Sequence, residues 1–203
     1  MAKIKLAIVY YSTYGSNYKL AGWAKNEAEA LGAEVRLVKA QENAPRAIID
    51  SQPAWSAHVE ATKSIPVASV DDLDWADAII FSAPVRFGGA ASQIRHLIDQ
   101  TGGLWFQGKL INKVVSAMTS AQNLHGGQEA ALLNIYTSMM HWGAVIAAPG
   151  YSDPVIFEAG GCPYGVAVSV DNDGNFKEGN EAVEKAVKHQ VKRTLDIAKK
   201  VVS

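Results

Sequence analysis

The sequence predicts an α/β fold built on a doubly wound parallel sheet, and three observations carry that expectation. Apolar runs of strand length alternate with longer segments of helical period, as when crossover helices cover both faces of a parallel sheet. The 203 residues, 48% hydrophobic, suffice for one well-buried domain spanning 1–203, and the apolar runs are too short to cross a membrane as helices. The first strand-like run, Ile4 to Tyr11, passes straight into Ser12-Thr13-Tyr14-Gly15-Ser16-Asn17 and then a helix. Such a junction presents unpaired backbone N–H groups and the positive end of a helix dipole at one point, a place where a phosphate is stabilised without lysine.

The elements follow in order. Leu20, Ala21, Trp23, Ala24, Ala28 and Leu31 keep a helical spacing, and Gly32 falls where a C-terminal cap would stand. Val35 and Leu37 alternate with Glu34 and Arg36, the pattern of a half-exposed strand near a sheet edge. Between Lys39 and Asp74, Pro45, Pro53 and Pro66 interrupt any long helix, so this is a long connection carrying short helices. Ala78-Ile79-Ile80-Phe81 is a strand buried on both faces; further strands are expected at Lys113 to Met118 and Ala144 to Ala148. Helical stripes lie at Ile94, Leu97 and Ile98, then at Leu132, Leu133, Ile135, Tyr136, Met139 and Met140, and last at Val183, Ala186, Val187, Val191, Leu195 and Ala198. Five strands with intervening helices suggest the order 2-1-3-4-5 of the flavodoxin-like sheet, in which a ligand lies beyond the strand C-termini.

The loops after the third and fourth strands fit that location. Ser82-Ala83-Pro84-Val85-Arg86-Phe87-Gly88-Gly89 and Thr119-Ser120-Ala121-Gln122-Asn123-Leu124-His125-Gly126-Gly127 are rich in turn formers, polar donors and glycines. Neither G-x-x-x-x-G-K-[ST] nor G-x-G-x-x-G occurs in the first loop, which argues against a nucleoside triphosphate or a Rossmann dinucleotide and favours a phosphate monoester. A capped βα turn with no ligand would use the same residue types.

Composition narrows the class further. Nineteen Lys and Arg against twenty Asp and Glu give a net charge of −1, without the basic field of a nucleic-acid binder. One cysteine, Cys162, permits no internal disulfide, and the N-terminus lacks the apolar region of an export signal, so the expectation is a cytoplasmic protein. The residue six positions after Cys162 is Val168, which excludes the cysteine-x5-arginine phosphatase loop. The five histidines form no pair at metal-ligand spacing, and no metal is expected.

Five ordered segments also carry a family resemblance: Tyr10 to Gly15, Pro84 to Gly88, Asp99-Gln100-Thr101-Gly102-Gly103-Leu104-Trp105, Gly126-Gly127-Gln128-Glu129 with His141 beyond it, and Gly161-Cys162-Pro163-Tyr164-Gly165. Over nearly its whole length the chain resembles the type IV NAD(P)H:quinone oxidoreductases, the tryptophan-repressor-binding-protein family of flavodoxin-like FMN proteins. The resemblance implies that Ser12, Thr13, Tyr14, Gly15, Ser16 and Asn17 hold the FMN phosphate. It implies that Pro84, Val85, Arg86, Phe87 and Gly88 run along the isoalloxazine, and that Ser120, Ala121, Gln122, Gly126 and Gly127 meet its polar edge. It also implies that Tyr14 lies near the nicotinamide, that Arg86 pairs with a dinucleotide phosphate or shields the ring, and that His141 donates to a flavin or quinone oxygen. Phe87 and Trp105 are implied to stack on substrate, Trp105 from a neighbouring subunit of a homotetramer. Two departures stand out: Ala121 to His125 is one residue longer and bulkier than the family's loop, and Val85 replaces a common threonine.

The activity implied is two-electron reduction of a quinone by NADH or NADPH through FMN, in a ping-pong order, with no nucleic-acid or membrane partner. Two other classes compete with it. A flavodoxin-type electron carrier is usually strongly acidic, which this chain is not; a non-catalytic regulatory binding protein has no helix-turn-helix or basic strip to support it.

Overall fold

A computed structural model describes residues 3–172 and 174–202. The first half runs β1 (Lys5–Tyr10), α1 (Ser16–Ala30), β2 (Glu34–Lys39), α2 (Arg46–Asp50), α3 (Pro53–Ala61), α4 (Val70–Trp75), β3 (Ala78–Arg86), β4 (Gly89–Ala90) and α5 (Ser92–Asp99). The second half runs α6 (Gly102–Phe106), β5 (Val114–Ala121), α7 (Gln128–Trp142), β6 (Val145–Ile146), α8 (Val155–Glu158), β7 (Ala167–Ser169) and α9 (Asn180–Val201).

The main sheet is parallel in the order β2-β1-β3-β5-β6, the expected five-strand path. Two short strands extend it beyond the expected five: β4 turns back antiparallel on β3, and β7 pairs parallel with β5. Strand alternation sorts the core into two layers. Leu6, Ile8, Tyr10, Ile80 and Met118 face α1 and α9, whereas Ala7, Val9, Ile79, Phe81 and Val115 face α4, α5 and α7. β3, central and covered on both sides, is buried from Ala78 to Val85, and β2 is half exposed as the edge.

The short helices between β2 and β3 begin where the prolines allow. Pro45 caps α2 and Pro53 opens α3, where a missing N–H costs nothing. α4 is started by a capping box between Ser69 and Asp72.

The far edge is split. β6 pairs only with Val114 and Val115, and β7 only with Thr119 to Ala121, leaving the middle of β5 without a neighbouring strand. Side chains complete the ladder there: the Tyr136 hydroxyl accepts from the Ala117 N–H at 3.0 Å and donates to the Tyr164 carbonyl at 2.6 Å. Gln190 donates to the Ala117 carbonyl at 3.0 Å and accepts from the Val166 N–H at 2.7 Å. Gly165 makes this packing possible, since a Cβ there would lie 2.1 Å from the Ala117 oxygen.

Candidate active site

The loops after β1, β3 and β5 emerge at the C-terminal end of the sheet and meet in one hydrogen-bonded cluster. Asn17, in the first turn of α1 and only 1% exposed, donates from Nδ2 to the Ser120 Oγ at 2.7 Å. Ser82, at the strand position after Phe81, donates to the Asn17 main-chain oxygen at 3.1 Å and lies 3.2 Å from its Oδ1. Thr119 donates to the Ala83 carbonyl at 2.7 Å, tying β5 to the start of the β3 loop. A buried polar network with every member partnered fixes the relative positions of the loops that carry it.

The β1 loop turns through Gly15, which has φ 100° and donates its N–H to the Ser12 Oγ at 2.9 Å. The first intrahelical bond of α1 is from the Lys19 N–H to the Gly15 carbonyl, so the N–H groups of Ser16, Asn17 and Tyr18 point forward from the helix start. This is the donor set of an anion site, with neutral groups throughout. Glu42 steadies the loop from behind: its carboxylate accepts from the Tyr11 hydroxyl, the Trp55 indole and the Gln93 amide at 3.1–3.3 Å. Burial pushes the Tyr11 hydroxyl up to about 12, so it stays a donor at physiological pH.

The β3 loop is a tight hairpin. Val85 pairs with Ala90 and Arg86 with Gly89, leaving Phe87 (φ 50°) and Gly88 (φ 79°) as the two turn residues. Positive φ at both positions is the hairpin turn normally filled by Asn-Gly. A phenylalanine in this conformation is strained by about 1–2 kcal/mol, and Phe87 is also fully exposed. The strained turn thus holds an unpartnered aromatic face out to solvent. The Arg86 guanidinium is held in place by the Val85 carbonyl at 3.0 Å and the Thr13 Oγ1 at 2.8 Å, linking the β1 and β3 loops.

The β5 loop closes the group through two glycines. A Cβ at Gly126 would stand 2.4 Å from the Ala121 Cβ, and one at Gly127 would stand 2.8 Å from the Gly88 Cα. The backbone at Gly127, with φ 95°, therefore lies directly against the β3 hairpin. Ala121 is half-buried, and Gln122 is exposed with its carbonyl accepting from Lys177 at 3.0 Å. Tyr14, exposed beside the β1 loop, donates to the Gln52 side chain at the head of α3.

Thus Ser12 to Asn17, Pro84 to Gly88, Ser120, Ala121, Gln122, Gly126 and Gly127 converge on one end of the sheet. Trp105 and His141 do not join them. α7 starts beside Gly127 and runs antiparallel to β5, which puts His141 about 20 Å further along its axis, toward the strand N-termini. There the Trp105 indole donates to the His141 carbonyl at 3.0 Å. Sequence reasoning placed Ser82 in the loop after the third strand but missed Glu42 and Gln52, which reach the cluster from the connection between β2 and β3.

Forward-pointing N–H groups at a helix start, an aromatic hairpin tip and glycine-lined backbone at one switch point fit a phosphorylated planar ligand such as FMN. A family model described as NADPH-dependent FMN reductase matches residues 4–152. The chain is 52% identical over 200 residues to the NAD(P)H dehydrogenase (quinone) of Deinococcus radiodurans, covering 98% of each. It is 36% identical over 207 residues to the enzyme of the same name from Aromatoleum aromaticum, again covering 98% of each. Among solved structures, a flavodoxin, WrbA-like protein from Agrobacterium tumefaciens has a TM-score of 0.64 at 21% identity, covering 98% of this chain and 99% of that one. FerB, a flavoenzyme NAD(P)H:(acceptor) oxidoreductase from Paracoccus denitrificans, has a TM-score of 0.60 at 15% identity, covering 97% and 98%. The structural likenesses establish the fold alone, and the family match and the identities establish kinship: the chain belongs to the NADPH-dependent FMN reductase family, together with the enzymes named NAD(P)H dehydrogenase (quinone).

Proposed function

We propose that this chain is an FMN-dependent NAD(P)H:quinone oxidoreductase that reduces quinones by two electrons in a ping-pong order. The observation that carries the reading is the joining of the β1, β3 and β5 loops through Asn17, Ser82 and Ser120 at the C-terminal end of the sheet. The bound flavin supplies the hydride chemistry between nicotinamide and quinone. The chain supplies position. The N–H groups of Ser16 and Asn17 at the start of α1 would hold the phosphate, and the close backbone of Gly88 and Gly127 would line the ring. The exposed Phe87 offers a flat face to an incoming ring. Arg86, already anchored to Thr13, places a cation beside the same opening, where a dinucleotide phosphate can pair with it. One pocket serves donor and acceptor in turn, which is the basis of the ping-pong order.

Trp105 and His141 act from a second subunit on this reading. Trp105 (56% exposed), Phe106 (84%) and Met140 (64%) form an apolar surface with Ile111, which packs near Gly143. A homotetramer would cover this surface and bring it to a neighbour's flavin.

The deciding experiment is the visible spectrum of the protein reconstituted with FMN, followed without oxygen. Bleaching on addition of NADH or NADPH and recovery on addition of benzoquinone support the reading. Bound flavin that neither nucleotide reduces would instead favour an electron carrier, and failure to take up FMN would remove the proposal.

A further inference from the structure

α3 lies across the phosphate loop, and His58 is the residue it brings there. A Cβ at Gly15 would stand 3.6 Å from the His58 Nδ1 and 4.0 Å from its Cε1, so the imidazole edge faces the turn that starts α1. The ring tilts against Tyr18 of α1 at 5.7 Å between centroids, and Tyr18 in turn meets Tyr10 of β1 at 5.3 Å. Among the described residues neither His58 ring nitrogen makes a hydrogen bond, although the ring is half-buried. Two other cations of this region, Arg86 and Lys19, already have partners within the chain. Arg86 bonds Thr13 and Val85, and the Lys19 ammonium bonds Asn180 and lies over the Trp23 and Phe176 rings.

We propose that His58 is the titratable cation of the phosphate site: it takes up a proton from solvent when the flavin phosphate binds at the start of α1, so affinity for FMN rises as pH falls. The inference rests on the FMN reading above. The groups that face the ring are Tyr18 from α1, Tyr10 behind it, and Lys39 from β2, whose ammonium donates to the Thr62 carbonyl at 2.7 Å. The charge acting on the imidazole is that of Lys39, which together with burial, the larger cause, holds the free ring below its ordinary value. Without ligand, His58 is therefore neutral near pH 7. A phosphate dianion held at the start of α1 would reverse the balance by favouring the charged form, and linkage requires that what raises the proton affinity also gains affinity from the proton.

The test is to titrate FMN and riboflavin against the whole protein by flavin fluorescence quenching at pH 6.5 and pH 8.5. Both values lie above the second ionisation of a phosphate monoester, near pH 6, so the ligand stays largely dianionic. Wild type is expected to bind FMN about five- to tenfold more tightly at the lower pH, as uptake of less than one full proton allows, while riboflavin shows no such change. His58→Phe keeps the aromatic contact with Tyr18 and should bind FMN with a flat profile, weakened mainly at pH 6.5; His58→Gln should match it. If either variant keeps the wild-type profile, or weakens FMN and riboflavin alike, the proton-linked role is overturned and His58 is packing only. If wild type fails to bind FMN at either pH, the cofactor reading itself falls, and this inference with it.

Discussion

The two ends of the sheet are built on opposite principles. At the strand C-termini a buried polar cluster joins the loops, with Asn17 and Ser120 only 1% and 5% exposed and three loops sharing their hydrogen bonds, while Phe87 and Leu124 project to solvent from the loop tips. At the other end Trp105, Phe106, Ile111 and Met140 present large apolar groups to solvent, with a single indole-to-carbonyl bond linking Trp105 to α7. The first end is finished within one chain, since its donors and glycine contacts need nothing further to be in place. The second end leaves apolar area exposed, and nothing among the described residues covers it. On the proposed function, one end serves a small ligand and the other a partner subunit, and substitutions should separate them.

The largest effect is expected at the finished end. Gly127→Val places a branched side chain at φ 95°, with its Cβ 2.8 Å from the Gly88 Cα. Left-handed strain plus displacement of the β3 hairpin should total about 3 kcal/mol, or roughly a hundredfold in FMN affinity. Fluorescence titration reads it, with circular dichroism to establish that the fold persists; unchanged FMN binding would mean the ligand does not lie along these loops. Next comes Asn17→Ala, which removes the donor to Ser120 and leaves Ser82 with fewer partners in a buried setting. A loss of about 2–3 kcal/mol in unfolding free energy is expected, as for buried groups left unsatisfied, and urea denaturation of the flavin-free protein measures it.

The other end should respond differently. Trp105→Ala removes exposed area and one hydrogen bond, so the isolated chain should lose only about 0.5–1 kcal/mol. Its FMN affinity should hold, while the assembled mass falls in light scattering and quinone turnover drops about tenfold, equivalent to about 1.4 kcal/mol. If the variant stays fully active and its mass is unchanged, the contrast between the two ends has no functional content.

Much of the contrast was legible in the sequence, and the exceptions have physical causes. The α1 stripe from Leu20 to Ala28, the buried run at Ala78 and the alternation at Val35 are local periodicities, and each became the expected element. The strand–turn–helix course of the β1 loop was legible because the apolar run ends in Ser, Gly and Asn directly before a helical stripe. β7 was not, because Gly161 to Gly165 divides the edge so that no strand there exceeds three residues. Its trace in the sequence was indirect: Gln190 and Thr194 sit among the apolar positions of α9, where they complete the β5 ladder and meet Ser116. The distance between His141 and the loop cluster was equally hidden, since a motif gives order along the chain but not which end of a helix it occupies. Nor could spacing reveal that α3 lies across Gly15, a contact made over more than forty residues of chain.

The smallest effect is expected at Cys162, which lines a cavity beside the β5 loop. The thiol is half-buried and lines a cavity of about 440 Å³ with Gly127, Glu129, Gly160, Ala167 and Glu178. Burial pushes the thiol up, the Glu129 charge pushes the same way, and the Tyr164 and Gly165 N–H groups oppose them only in part. The thiolate is the reactive form, so the group should be inert at neutral pH and become reactive only as pH rises past the ordinary thiol range. Reaction with a disulfide probe should accordingly be slow at pH 7 and accelerate steadily above pH 9. Cys162→Ala should cost no more than about 1 kcal/mol in stability and leave quinone turnover and FMN affinity as in wild type. A variant that kept its flavin but lost turnover would draw this cavity, which shares Gly127 with the β5 loop, into the reaction and extend the finished end of the sheet beyond the three loops.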